Sequence, residues 1–116
     1  MNVGELLDQL EECNEEDTVN CIMQSENDGS FYHTIAIGTE AGAQLVNIIL
    51  ANITGEGITV RRLKNELNAY EATLLVSVKI NRFNPKQFRY QINGIINRGD
   101  VVYLKLPQFM SDLYEE

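Results

Sequence analysis

The sequence predicts a single α+β domain over residues 1–116, with a mostly antiparallel sheet of about five strands and helices packed on one face. Three observations predict it. Apolar residues recur at helical spacing in Val3, Leu6, Leu7, Leu10 and Cys13, and again in Val60, Leu63, Leu67 and Tyr70. Elsewhere Val19, Cys21 and Met23 alternate with polar neighbours, and later Leu74, Val76, Val78 and Ile80 fall on one strand face with Ser77, Lys79 and Asn81 on the other. A chain of 116 residues with 44% apolar content is long enough for one buried core. On this reading no internal repeat, low-complexity run or linker divides it.

The elements follow in order. Residues 3–13 form an amphipathic helix, started by a capping box of Asn2 with Glu5. Residues 18–24 and 31–37 make an antiparallel hairpin around Asp28-Gly29, a pair that tolerates positive φ. Thr39 then caps a helix to about Ile53, carrying Leu45, Val46, Ile48, Ile49 and Leu50, with Gly55 and Gly57 ending it. Thr59 caps a second helix over 60–70, with Arg61, Arg62 and Lys64 facing outward. Residues 72–82 return to strand.

After Asn84-Pro85 two periods compete. Phe88, Tyr90 and Ile92 alternate as in a strand, whereas Phe88, Ile92, Ile95 and Ile96 suit a helix starting near Pro85. The strand is preferred. Gly94 weakens a helix, and Asn97-Arg98-Gly99-Asp100 is a turn into a last strand, Val101–Leu106. Pro107 stops that strand, and an acidic tail runs on to Glu116.

Charge is segregated along the chain. All nine lysines and arginines lie beyond residue 60, while residues 1–60 hold eleven carboxylates; the halves carry −11 and 9 − 6 = +3, which sum to −8. Separation of this kind selects encounter partners and says little about fold. The acidic balance disfavours direct binding of nucleic acid or of an anionic membrane, and favours a basic partner. No run approaches 18 apolar residues and no basic-apolar leader opens the chain, so the expectation is a cytoplasmic protein with no membrane partner.

Candidate chemistry is sparse. Cys13 and Cys21 form no CxxC and are expected to stay reduced. His33, the single histidine, lies in a strand with no nucleophile motif beside it. One histidine and two unclustered thiols do not make a zinc site, and the loop at Gly29 lacks the acidic ends of an EF-hand. The expectation is no metal, no cofactor and no enzymatic activity. Gly38-Thr39-Glu40-Ala41-Gly42 follows a strand and opens the expected helix, as phosphate cradles do, but it lacks a P-loop lysine. Arg98-Gly99-Asp100 reads as turn chemistry. Lys79, Arg82, Lys86, Arg89, Arg98 and Lys105 interleave with aromatics, a pattern of single-strand binders, yet charged strand faces also blunt sheet edges.

The densest feature is the acidic arc of the first helix and its continuation. Glu5, Asp8, Glu11, Glu12, Glu15, Glu16 and Asp17, with Glu26 and Asp28 at the hairpin tip, form the candidate partner-binding surface. No lysine or arginine stands at i+4 on that helix to relieve the repulsion. Such a surface can enter an arginine-lined groove built for phosphates.

The opening Val3-Gly4-Glu5-Leu6-Leu7-Asp8-Gln9-Leu10, followed by Asp17-Thr18-Val19, resembles a start common among small accessory proteins of bacteriophages and mobile elements. The likeness covers about 20 residues and departs at Asn14-Glu15-Glu16, where prolines are frequent in that class. It implies an acidic, non-enzymatic inhibitor of a nucleic-acid-binding host defence protein, similar in size and charge to anti-CRISPR proteins. Two other expectations stand beside it. One is a domain that sequesters a phosphorylated nucleotide-like ligand through Gly38–Gly42. The other is a homo-oligomer in which the −11 half of one chain meets the +3 half of another.

Overall fold

A computed structural model describes residues 1–24, 31–42, 44–51, 56–81, 89–92 and 94–106. Helix α1 (Val3–Leu10) precedes β1 (Thr18–Gln24), β2 (Phe31–Gly42) and β3 (Leu45–Ala51). Helix α2 (Val60–Leu67) precedes β4 (Leu75–Asn81), β5 (Arg89–Gln91), β6 (Gly94–Arg98) and β7 (Val101–Lys105). The strands form one sheet in the order β5-β4-β3-β2-β1-β7-β6. The α+β class holds, but the sheet is mixed. The β3–β4 and β1–β7 pairs are parallel, and the other four pairs are antiparallel.

Strands β5 and β6 stand at opposite ends of that order, yet only Ile92 and Asn93 separate them in the chain. Three residue steps, Gln91 to Gly94, reach at most about 11 Å. The sheet therefore curls until its two ends meet at Ile92, itself buried at 5% exposure. Taken as one bent strand, β5 and β6 close a six-membered ring of strands, which removes the exposed edges an open sheet would leave.

The ring has an internal two-fold pattern, contrary to the expectation that the chain holds no repeat. Val3, Leu6, Leu10, Val19 and Cys21 recur 57 residues later (60 − 3 = 57) as Val60, Leu63, Leu67, Val76 and Val78. Leu45, Val46, Ile48 and Leu50 recur 56 residues later (101 − 45 = 56) as Val101, Val102, Leu104 and Leu106. Pairing follows the same rule. Leu45 opposes Leu75 as Val101 opposes Thr18, and Gly42 opposes Leu45 as Arg98 opposes Val101. The bulge between Ala36 and Gly38 in β2 corresponds to the Ile92–Gly94 step between β5 and β6. A two-residue turn closes β6–β7, and positive φ occurs at Gly99 in that turn and at Gln44 just before β3.

Each repeat also feeds its helix into the other. The Val3 amide donates to the Leu74 carbonyl at 2.9 Å, and the Val60 amide to the Asp17 carbonyl at 2.8 Å. The Val76 amide donates to Met1 at 3.0 Å, and the Val19 amide to Ile58 at 2.8 Å. Within the core, Val3, Leu6 and Leu10 of α1 and Val60, Leu63 and Leu67 of α2 join Val19, Cys21, Val46, Ile48, Leu50, Val76, Val78, Val102 and Leu104. One core thus serves both repeats.

The expected helix from Thr39 to about Ile53 is not formed. Strand β2 continues to Gly42 and β3 covers Leu45–Ala51. Its apolar run is that of a central strand buried from both sides, which shows no clean alternation and mimics a buried helix. Three β-branched residues, Val46, Ile48 and Ile49, favour the strand, which pairs antiparallel with β2 from Gly42 and Leu45 onward. Arg89–Gln91 and Gly94–Arg98 are strands, as preferred over the helical alternative. The expected hairpin tip with Glu26 and Asp28, residues 52–55, and the tail after Leu106 lie outside the described residues.

Candidate functional site

Helix α1 sets the geometry of the acidic surface. Its capping box forms as expected: the Asn2 amide donates to Glu5 Oε1 at 3.0 Å, and the Glu5 amide to Asn2 Oδ1 at 2.8 Å. With Val3, Leu6 and Leu10 buried, Glu5, Asp8, Glu11 and Glu12 are left exposed. The helix ends at Glu11, and the following loop carries Glu12, Glu15 and Glu16 across to α2.

There the loop meets the only cations of α2 that face it. Arg61 Nε donates to Glu15 Oε2 at 3.2 Å, and Arg61 Nη2 pairs with Glu16 Oε1. Lys64 Nζ lies 3.1 Å from Glu11 Oε1 and 3.3 Å from Glu15 Oε1, its side chain only 13% exposed. The Arg61 amide donates to the Glu15 carbonyl at 3.1 Å, so backbone and side chain fasten the same pair. The Arg61 and Lys64 hydrogen bonds hold the Glu15 carboxyl below the ordinary range. Glu11, then Glu15, raises the Lys64 ammonium above its ordinary value.

Relief of repulsion therefore comes across the repeat boundary rather than from i+4 partners on α1. The signal was present in the sequence: Arg61 and Lys64 are the outward positions of α2, and the 57-residue recurrence brings them opposite the loop. Of the nine expected contact residues, Glu11, Glu15 and Glu16 are engaged inside the molecule. Asp17 is buried at 5% exposure, not part of a solvated arc. Glu5 is committed to the cap, and Glu26 and Asp28 lie outside the described residues. Asp8 and Glu12 remain exposed with no ion pair among the described residues. Five carboxylates, Asp8, Glu11, Glu12, Glu15 and Glu16, stand against two cations, so the cluster keeps −5 + 2 = −3.

Gly38–Gly42 does not form a phosphate cradle. It is the C-terminal end of β2, followed by β3 rather than a helix, and the Thr39 amide and hydroxyl both donate to Glu66 Oε1, at 3.0 and 2.8 Å. Arg62 Nε holds the other oxygen of Glu66 at 3.0 Å. An anion would find its donors taken by a carboxylate.

The cysteines are free, and burial pushes both thiols up; Cys21 packs in the core and Cys13 is half-buried. His33 sits in β2 opposite Ile22. Lys79 pairs with Glu40 at 3.7 Å, while Arg98 and Lys105 are exposed on β6 and β7. Among the described residues no group of three metal-ligating side chains comes together, and no helix is long and apolar enough to cross a membrane. Comparison of the chain with known protein families, with curated proteins and with solved structures finds no match.

Proposed function

We propose that the protein is a non-enzymatic binding domain whose acidic α1 face docks on a basic surface of another protein. The partner class is a nucleic-acid-binding bacterial defence protein, and the domain acts as a phage-type inhibitor in the anti-CRISPR manner. One observation carries this reading: after its internal pairing the α1 cluster still holds a net −3, with Asp8 and Glu12 unpaired among the described residues. Support is narrower than the sequence suggested. Glu11, Glu15 and Glu16 share two cations from within, so they shape the surface and contribute field rather than free contacts.

Capture from a bacterial lysate at low ionic strength, followed by affinity measurements on the recovered protein, tests the reading. A basic nucleic-acid-binding protein is expected, with affinity falling as salt rises. The double variant Asp8→Lys, Glu12→Lys should weaken that binding by about tenfold or more, as reversal of steering charges does. Equal affinity of variant and parent would overturn it.

A further inference from the structure

We propose that Gly4, Leu7, Ala72, Leu74 and Leu75 form a docking surface for a basic amphipathic segment of a partner protein. This surface is the two-fold equivalent of the ion-pair cluster. Gly4 stands where Arg61 stands, Leu7 where Lys64 stands, Ala72 where Glu15 stands, Leu74 where Asp17 stands and Leu75 where Thr18 stands. The backbone contacts are the same at both places: the Gly4 amide donates to Ala72 at 3.0 Å, as the Arg61 amide donates to Glu15 at 3.1 Å. At the first place charged side chains cover the junction. At the second they are replaced by small and apolar ones, and a Cβ on Gly4 would already touch Ala72 Cβ at 3.3 Å.

The result is an apolar surface left in water. Leu75 is 55% exposed, against a half-buried Thr18 at the equivalent position, and Leu7 and Leu74 are half-buried. Exposure of a leucine this large in a strand next to Leu45 wastes burial that the first junction does not waste. Carboxylates rim the patch. Asp8 lies one turn beyond Gly4 on the same face of α1, Glu5 precedes it, and Glu71 adjoins Ala72; all three are exposed. Apolar centre and acidic rim together fit a segment that presents leucine-like anchors flanked by lysine or arginine. A second copy of this chain is a poorer fit, because at −8 it would bring further carboxylates to the rim. The inference rests on the reading of the α1 face as a docking surface and adds the apolar half of the contact.

The full chain, labelled with 15N, is titrated with a synthetic helical peptide of leucine and lysine in amphipathic order. Amide shifts are expected at Gly4, Leu7, Leu74 and Leu75. Leu75→Lys and, as an independent variant at an exposed site, Ala72→Lys should each weaken binding by roughly tenfold or more. The amide spectra of the free variants show that the fold is kept. Unchanged affinity in both variants overturns the inference. If Asp8→Lys with Glu12→Lys still weakens the peptide in that case, the acidic-face reading survives alone; if it does not, both fall. A dimer of the parent chain by light scattering that Leu75→Lys dissolves assigns the patch to self-association and also overturns it.

Discussion

Arg61 Nε donates to Glu15 Oε2 at 3.2 Å, and that contact runs from the second repeat into the first. The segregation of charge along the chain is thus partly resolved inside the fold: the acidic half carries the loop and the basic half carries the helix that receives it. Had two copies of the first repeat been paired instead, Gly4 and Leu7 would face the loop and leave Glu11, Glu15 and Glu16 unmatched. Charge at this junction selects unlike repeats over like ones.

Charge reversal at the junction tests that role. Arg61→Glu with Lys64→Glu places two further carboxylates against Glu11, Glu15 and Glu16, and the thermal midpoint should fall. The fall should shrink in molar salt, because Arg61 and the carboxylates around it are solvent-facing and screened. Adding Glu11→Lys, Glu15→Arg and Glu16→Arg to that variant should restore most of the loss. No recovery in the fivefold variant, followed by circular dichroism, would mean that the pairs do not couple the repeats.

The depressed Glu15 carboxyl makes an acid prediction. A group whose folded pKa lies below its unfolded value stabilises the fold at pH above the unfolded value, and that contribution is lost as pH falls through the folded one. For Glu15 the loss begins as pH drops below the ordinary 4.5 and is completed at still lower pH. Lys64, raised by Glu11 and Glu15, keeps its charge through the whole neutral range and loses its contribution only above the ordinary 10.5. A carboxyl-carbon NMR titration should place the Glu15 midpoint under 4.5, moving upward in Arg61→Ala. A midpoint at or above 4.5 in the parent would contradict the geometry.

The shared core predicts one unfolding event. Because α1 and α2 bury Leu6 and Leu63 in a single cluster, neither repeat can lose its core alone. Leu6→Ala and Leu63→Ala should each cost about 2–5 kcal/mol. Both variants should unfold in urea as one transition, seen alike by tyrosine fluorescence and far-ultraviolet dichroism. Separate transitions by the two probes would show that the repeats are independent.

Legibility in the sequence followed the clarity of local signals. Both helices were readable because a cap (Asn2, Thr59) precedes apolar residues at helical spacing. Strand β1 is readable from the spacing of Val19, Cys21 and Met23 at every second position. Strand β3 was not, because Val46, Asn47 and Ile48 are all buried and a strand covered on both sides loses its period. The repeat is masked in the sequence because chemistry differs at matched positions, Arg61 for Gly4 and Glu15 for Ala72, while only the core apolar residues persist. Closure of the sheet lies in no local pattern at all. It follows from pairing between strands far apart in the chain, and so do the partners of the acidic loop.

Gly57 supplies the sharpest steric prediction. The segment before α2 runs tightly along β1 and β2: the Ile58 amide donates to the Ala36 carbonyl at 2.9 Å, and the Ile58 carbonyl accepts from Val19 at 2.8 Å. A Cβ on Gly57 would lie 2.0 Å from the Val19 carbonyl oxygen and 3.1 Å from that of Ala36. Both obstacles are backbone, so neither can swing aside. Gly57→Ala must push the segment off the strands and weaken the entry to α2, at a cost at or above the roughly 1–3 kcal/mol usual for overpacking. Gly94, the first residue of β6, is the control, since a Cβ there meets nothing within 4 Å. Gly94→Ala should stay within about 0.5 kcal/mol of the parent. Urea denaturation of the two variants decides the matter: equal midpoints would show that the close approach at Gly57 is absent in solution.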